Sequence, residues 1–111
     1  MQISIHDEGA VARVVLVGKL DIVGADVVAL PLATLSGSKQ NVLIDMSGVT
    51  FLASIGIRHL VSATKALSRR GGKLVLIGTT EAVSEVLTTA GLAPMIAMVA
   101  NDGEARALVG G

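Results

Sequence analysis

Ser54 is the side chain in this sequence that is best placed for chemistry. It follows "DMSGVTFLA" (45–53) and opens the helical pattern "SIGIRHL" (54–60), so it lies where a strand leads into a helix. A serine at such a junction can serve as a nucleophile, as a helix cap or as an acceptor of phosphate. The three roles require different neighbours, and the neighbours therefore decide between them.

The nucleophile hypothesis lacks two of its requirements. A nucleophile elbow has the pattern G-x-S-x-G, and here Leu52 replaces the first glycine, although Gly56 is present. The two histidines, His6 in the first strand and His59 five residues beyond Ser54, are not placed to act as its base. A serine hydrolase ranks third among the functional alternatives.

Motifs for phosphate and metal binding are absent from the sequence. No G-x-x-x-x-G-K-[ST] loop occurs, and "SRRGGK" (68–73) follows a helix, whose C-terminus repels anions. The chain has no cysteine, its acids are scattered singly, and no pair of histidines has ligand spacing. We therefore expect no metal and no cofactor.

Composition narrows the possible partners. The 111 residues include nine basic and nine acidic ones and a single aromatic, Phe51, so the chain offers neither a cationic face nor a stacking platform for nucleic acid. No apolar run approaches the roughly 20 residues of a membrane helix, and the N-terminus is unlike a signal peptide. We expect a cytoplasmic protein that contacts neither nucleic acid nor membrane. The mean hydropathy of +0.72 indicates either a surface rich in Ala and Val or a face covered by a partner.

The elements that position Ser54 follow from hydrophobic periodicity and turn residues. The predicted order is β-β-α-β-α-β-α-β-α. This order predicts one α/β domain over residues 1–111, with a mixed sheet of about five strands, a hairpin as the first pair, and about four helices mainly on one face. Strands are predicted at 3–6, 11–20, 41–45, 73–78 and 95–99, and helices at 23–36, 54–70, 80–90 and 101–109.

Two local features carry expectations of their own. Pro31 lies inside the first helical pattern, where it predicts a kink or a division into two short helices. Asp45 closes the third apolar run, and a short turn is predicted to follow it.

Two roles remain open for Ser54 at the start of its helix. The simpler one is an N-cap, whose hydroxyl oxygen accepts a backbone N–H two or three residues further on. The other is a phosphoacceptor, because a phosphate of about −1.5 to −2 charge would sit at the positive end of the helix dipole. Arg58, one turn along, could reach back to it. Such a modification would abolish an interface through charge, without unfolding the chain.

Four segments resemble the STAS domain of the anti-sigma factor antagonist type. The family's core motif runs roughly D-[LFM]-S-x-V-x-F-[ILM]-D-S-[SAT]-G-[LI], and "DMSGVTFLASIGI" (45–57) is similar to it. The patterns G-x-L-D, G-G-x-[LV] and [LM]-x-x-[AS]-G-[LM] are met by "GKLD" (18–21), "GGKL" (71–74) and "LTTAGL" (87–92). The four blocks occur in the family's order over almost the whole chain. Beside Ser54, Ala53 replaces the usual acid and Ile55 replaces a small or hydroxylated residue.

The resemblance implies a partner switch that is not an enzyme. In this family the unphosphorylated antagonist binds an anti-sigma factor that is also a serine kinase, and a sigma factor is released. The kinase phosphorylates the motif serine, which weakens the complex, and a PP2C-type phosphatase restores it. The motif serine falls on Ser54. The implied partner-binding residues are Asp21, Ala53, Ser54, Ile55, Gly56 and Arg58.

A second reading of the resemblance stays open. The chain could be a non-switching STAS interaction domain, or a STAS relative that binds a small molecule or lipid. For either reading we expect a monomer or a weak dimer.

Overall fold

The architecture is a five-stranded sheet with three helices on one face and a fourth helix on the other. The computed structural model describes residues 1–110, so Gly111 at the end of the predicted domain lies outside the described residues. The strands are β1 (Gln2–Glu8), β2 (Val11–Leu20), β3 (Asn41–Leu52), β4 (Leu74–Ile77) and β5 (Ala97–Val99). The helices are α1 (Ile22–Ser38), α2 (Ser54–Ser68), α3 (Glu81–Thr89) and α4 (Asp102–Leu108).

The sheet confirms the predicted fold class. Its strand order is β1-β2-β3-β4-β5, with β1 and β2 as an antiparallel hairpin and all later neighbours parallel. Parallel neighbours require crossover helices, which are right-handed almost without exception, so α1, α2 and α3 lie on the same face. Within residues 1–110, no helix is both long enough and apolar enough to cross a membrane.

The core divides into two layers because side chains alternate along each strand. On one face, Ile44 of β3 and Leu76 of β4 pack in a single cluster with buried residues of α1, α2 and α3. On the other face, Leu43 and Val75 pack against Ala105 of α4. The helices therefore lie mainly on one face, as predicted, and α4 alone covers the back.

The third strand differs most from its prediction. The sequence predicts an end at Asp45, but β3 continues to Leu52. Its pairing with β2 shifts register twice, opposite Val15–Val17 and opposite Gly18–Lys19, and β3 carries an extra residue each time. At the first shift, Asp45 Oδ1 accepts the backbone N–H and the hydroxyl of Ser47, at 2.9 and 2.6 Å. The segment with the composition of a turn is therefore a bulged strand that leads to α2.

The first helix runs unbroken through Pro31. The expected division into two short helices is therefore wrong. Proline in a helix interior costs about 3 kcal/mol through the missing N–H and crowding of the preceding turn. Val28 and Leu32, on either side of it, are buried against the sheet, and this packing holds the helix together across the proline.

Ion pairs fasten α4 to the back of the sheet. Arg13 of β2 donates to both carboxylate oxygens of Asp102, at 2.9 and 3.0 Å, and to Asp45 at 3.3 Å. Arg106 pairs with Glu8 of β1. Hydrogen bonding to Arg13 lowers the pKa of Asp102, and hydrogen bonding to Arg106 lowers the pKa of Glu8.

This pairing predicts that α4 loosens in acid. A carboxylate whose pKa is lower in the folded protein stabilises it above the unfolded pKa, and the effect is lost as pH falls through the folded value. Amide hydrogen exchange should therefore show α4 losing protection below about pH 4, the ordinary range of carboxylates, before the core of β3 does. Asp102→Asn should reduce protection of α4 at pH 7 and flatten its pH dependence. Equal protection of α4 in both proteins from pH 7 to pH 3 would contradict the account.

Candidate functional site

Helices α1 and α2 begin side by side at the carboxyl ends of neighbouring parallel strands. Leu20 ends β2 and pairs with Leu52, which ends β3. The Ala53 N–H donates to the Leu20 carbonyl at 3.0 Å, which ties the two strand ends together. The next residues are the N-caps, Asp21 for α1 and Ala53 for α2. Two segments about thirty residues apart in the chain therefore share one surface.

A glycine at the third position of each helix allows this close start. A Cβ on Gly24 would lie 2.1 Å from the Lys19 carbonyl oxygen, and one on Gly56 would lie 2.8 Å from Leu20 Cγ. Both glycines are buried. "LDIVG" (20–24) and "LASIG" (52–56) are thus two copies of one local arrangement, with strand end, cap, two helical residues and glycine in the same order.

Ser54 is not the N-cap of its helix. It is the first residue inside α2, and the capping position belongs to Ala53, which has no oxygen to offer. The N-cap prediction for Ser54 is therefore wrong. The hydroxyl is solvent-exposed and takes no part in capping.

The start of α2 differs from the starts of the other helices. Asp21 caps α1 by accepting the Gly24 N–H at 2.9 Å. Thr80 and Asn101 cap α3 and α4 in the same way. Helix α2 has no side-chain cap and no acid in its first turn. Its first backbone N–H groups and the positive end of its dipole therefore have neither a capping side chain nor an acid from the helix's own first turn.

Exposed apolar residues lie close to the two helix starts along the chain. Ile22, in the first turn of α1, is 72% exposed, and Phe51, near the end of β3, is 50% exposed. Arg58 is exposed one turn beyond Ser54 and forms no salt bridge within residues 1–110. We call this region the helix-start surface. Its residues are Asp21, Ile22, Phe51, Ala53, Ser54, Ile55 and Arg58.

The structure brings most of the sequence-predicted site residues to this surface. Asp21 lies there half-buried, with one carboxylate oxygen engaged as a cap, and Ile55 is half-buried in the first turn of α2. Gly56 lies beneath the surface as a packing residue. Ile22, which is exposed in the first turn of α1, was not among the site residues predicted from the sequence. An apolar residue directly after an N-cap is the signal that could have identified it, since the first turn of such a helix is open to solvent.

The surroundings of Ser54 do not form a catalytic triad or a metal site. His59 is half-buried and lines the groove between α1 and α2, while His6 is exposed on the edge strand β1. No hydrogen bond joins Ser54 to either histidine in the part of the chain that is described. Among residues 1–110, no three His, Cys, Asp or Glu side chains cluster as metal ligands would.

Comparison with known proteins places this arrangement in a family. A sequence model of the STAS domain matches residues 2–105. No curated protein matches the sequence significantly. Several solved structures share the fold.

One is an anti-sigma factor antagonist from Mycobacterium paratuberculosis, 22% identical, with 99% of this chain and 94% of that one covered and a TM-score of 0.86. The anti-sigma factor antagonist SpoIIAA in its unphosphorylated form is 20% identical, with 94% and 92% covered and a TM-score of 0.81. The Bacillus cell fate determinant SpoIIAA in its phosphorylated form is 18% identical, with 96% and 98% covered and a TM-score of 0.75.

The uncapped start of α2 predicts the effect of a substitution at Ala53. Ala53→Asp should cap α2 and raise the free energy of unfolding by about 1 kcal/mol, since the backbone already has the extended conformation of an N-cap. Urea denaturation at low ionic strength measures the change. Ala53→Asn, which adds a cap without charge, separates the hydrogen bond from the dipole effect. A loss of stability in both variants would show that Ala53 does not occupy a cap position.

Proposed function

This chain belongs to the STAS domain family, and we propose that it acts as an anti-sigma factor antagonist whose Ser54 accepts phosphate from an anti-sigma factor serine kinase. The unphosphorylated form binds the kinase through the helix-start surface and so frees a sigma factor in the cytoplasm. Phosphorylation reverses this, and a PP2C-type phosphatase restores binding. One observation carries the proposal. Among the starts of α1 to α4, only that of α2 has no side-chain cap, and the exposed hydroxyl of Ser54 lies there.

The local structure favours a phosphate at this position. The first hydrogen bond within α2 runs from the Ile57 N–H to the Ala53 carbonyl, at 3.1 Å, so the preceding N–H groups of the first turn lack helical acceptors. A phosphate on Ser54 brings three acceptor oxygens and about −1.5 to −2 charge to this positive end. The modified chain therefore keeps its fold, and the change is confined to the surface.

The apolar flank of Ser54 makes the phosphate incompatible with binding. Ile22 and Phe51 are the most exposed apolar side chains of the helix-start surface, and a partner that binds here must cover them. Enclosing a dianion beside apolar side chains removes its hydration. The free-energy cost of this desolvation exceeds the free energy gained from the apolar contacts. In this proposal the chain performs no catalytic step of its own and needs no cofactor.

The first test is direct phosphorylation. Incubation with the cognate anti-sigma factor kinase and ATP should place a single phosphate on Ser54, identified by mass spectrometry of the peptides. Ser54→Ala should remain unlabelled. Ser47→Ala is the matched control, because Ser47 is also exposed in the core motif but its hydroxyl is bonded to Asp45. That variant should be labelled like the parent. Labelling on Ser47, or none on either serine while another antagonist is labelled, would refute the proposal.

The second test separates charge from shape at the partner surface. Ser54→Asp should weaken binding to the kinase at least about tenfold, because a buried unpaired carboxylate costs more than 1.4 kcal/mol. Ser54→Ala should bind like the parent in isothermal titration calorimetry. Ser68→Asp adds the same charge at the opposite, exposed end of α2 and should leave binding unchanged. Equal affinities for the Asp and Ala variants at Ser54 would rule out the electrostatic mechanism.

One feature favours the alternative of a STAS relative that binds a small apolar molecule or lipid. A cleft of about 420 Å³ lies between α2 and α3, lined by Ile57, Ala82, Val86 and Ala90 together with Glu85 and Thr89. A fatty acid that raises the unfolding temperature of the parent, but not of an Ala90→Trp variant with the cleft filled, would support this role. A kinase complex that is indifferent to phosphorylation would favour it as well.

A further inference from the structure

The outward face of α1 is apolar, although no other part of residues 1–110 covers it. Val23, Val27 and Leu30 follow the i, i+4, i+7 spacing and are 72%, 39% and 75% exposed. The opposite side of the helix is buried against the sheet, so α1 is apolar on both sides. Asp26 is the only charged residue in Ile22–Ser38. A helix of this kind is normally buried on both sides, and in this chain α1 is buried on one.

The other half of the same face carries small side chains. Thr34 and Gly37 are exposed and continue the stripe toward the end of α1, and Ala33 lies beside the stripe at the edge of the groove between α1 and α2. A Cβ placed on Gly37 would meet no heavy atom within 4 Å, so no contact inside the chain requires a glycine there. Glycine inside a helix is less favourable than alanine and often marks the close approach of another element. The outward face of α1 thus has large apolar side chains along its first half and small side chains along its second half.

We infer that a second copy of this chain binds the face, with the two α1 helices antiparallel about a twofold axis near Leu30. A twofold contact places each position opposite the one equally far on the other side of the axis. Val23 then lies over Gly37 of the second copy, and Val27 lies over Ala33 and Thr34. The large side chains of each helix pack against the small side chains of the other. This self-complementarity is what an isologous interface needs.

The charges of α1 are compatible with this contact. In the antiparallel arrangement the two Asp26 residues are eight helical positions apart, about 12 Å along the axis, which exceeds the Debye length of about 8 Å at physiological salt. Asp26 falls opposite Thr34 of the second copy, whose hydroxyl can donate to its carboxylate. The net charge of zero adds no repulsion between copies.

The area of the face is close to the minimum for a specific dimer. The exposed parts of the three large side chains amount to roughly 350 Å² per copy, which lies within the range of the largest apolar patch on a typical monomer. With the flanking small residues, a twofold contact buries on the order of 1,200 Å² in total, the lower limit for specific interfaces. We therefore expect a weak dimer, which forms only at high protein concentration.

The dimer is independent of the proposed phosphorylation. The stripe begins at Val23, next to the helix-start surface, but its centre at Leu30 lies two turns further along α1, whereas Ser54 lies at the start of α2. Ser54→Asp should therefore leave self-association unchanged. Failure of either proposal can thus be recognised separately, by kinase binding for one and by self-association for the other.

Analytical ultracentrifugation of the full chain, from low micromolar to millimolar concentration, tests the inference. The parent should shift from monomer to dimer, and Leu30→Glu should raise the dissociation constant by roughly thirtyfold or more, as for a central interface residue. Ile5→Glu, at an exposed apolar position on β1, is the matched control and should dimerise like the parent. A parent that stays monomeric throughout, or equal losses in both variants, would overturn the inference.

Two further variants report on the geometry. Gly37→Ala should raise the unfolding temperature of the dilute monomer and yet weaken the dimer, a pair of effects that a role confined to one chain would not produce. Because the chain has no cysteine, Leu30→Cys should form a disulfide-linked dimer on mild oxidation at a concentration where Ile5→Cys does not. Unchanged dimerisation of Gly37→Ala, together with no cross-linking at position 30, would exclude the antiparallel arrangement.

Discussion

The site depends on the close approach of two helix starts to the ends of two strands. Gly24 and Gly56 have no room for a Cβ, since the nearest strand atoms would lie 2.1 and 2.8 Å away. The Ala53 N–H is bound to the Leu20 carbonyl, so neither helix can shift relative to the other without breaking the tie between β2 and β3. This constraint orients the first turns of α1 and α2 in one direction and places Ser54 at the surface they share.

The electrostatics of the helix starts follows from the same constraint. In the two copies of the local arrangement, Asp21 satisfies the N–H groups of α1, whereas Ala53 at the equivalent position leaves those of α2 unsatisfied by side chains. Helix α2 therefore lacks the stabilisation that a side-chain cap gives, and the positive end of its dipole lies beside the exposed hydroxyl of Ser54. The ion pairs of α4 lie on the opposite face of the sheet, where they hold that helix away from the helix-start surface.

Much of the fold could be predicted because the local signals agree with the tertiary structure. The apolar runs at β2 and β4 and the periodic stripe of α2 are each buried as their patterns indicate. The errors occur where long-range pairing overrides a local signal. The polar residues after Asp45 have the composition of a turn, yet pairing with β2 keeps them in a bulged strand. Pro31 is tolerated because the residues on either side of it are buried.

The sequence by itself determined the order of elements and the family, and it singled out Ser54 as a candidate, because these depend on residue types and on their spacing along the chain. Only the tertiary structure decided that Ala53 is the cap and that Ser54 lies one residue inside the helix, because the hydrogen bond from the Ala53 N–H to the Leu20 carbonyl at the end of β2 holds Ala53 outside α2. It also decided which apolar residues remain uncovered on α1. Periodicity identifies an apolar face, but whether anything in the chain covers that face depends on how the elements pack.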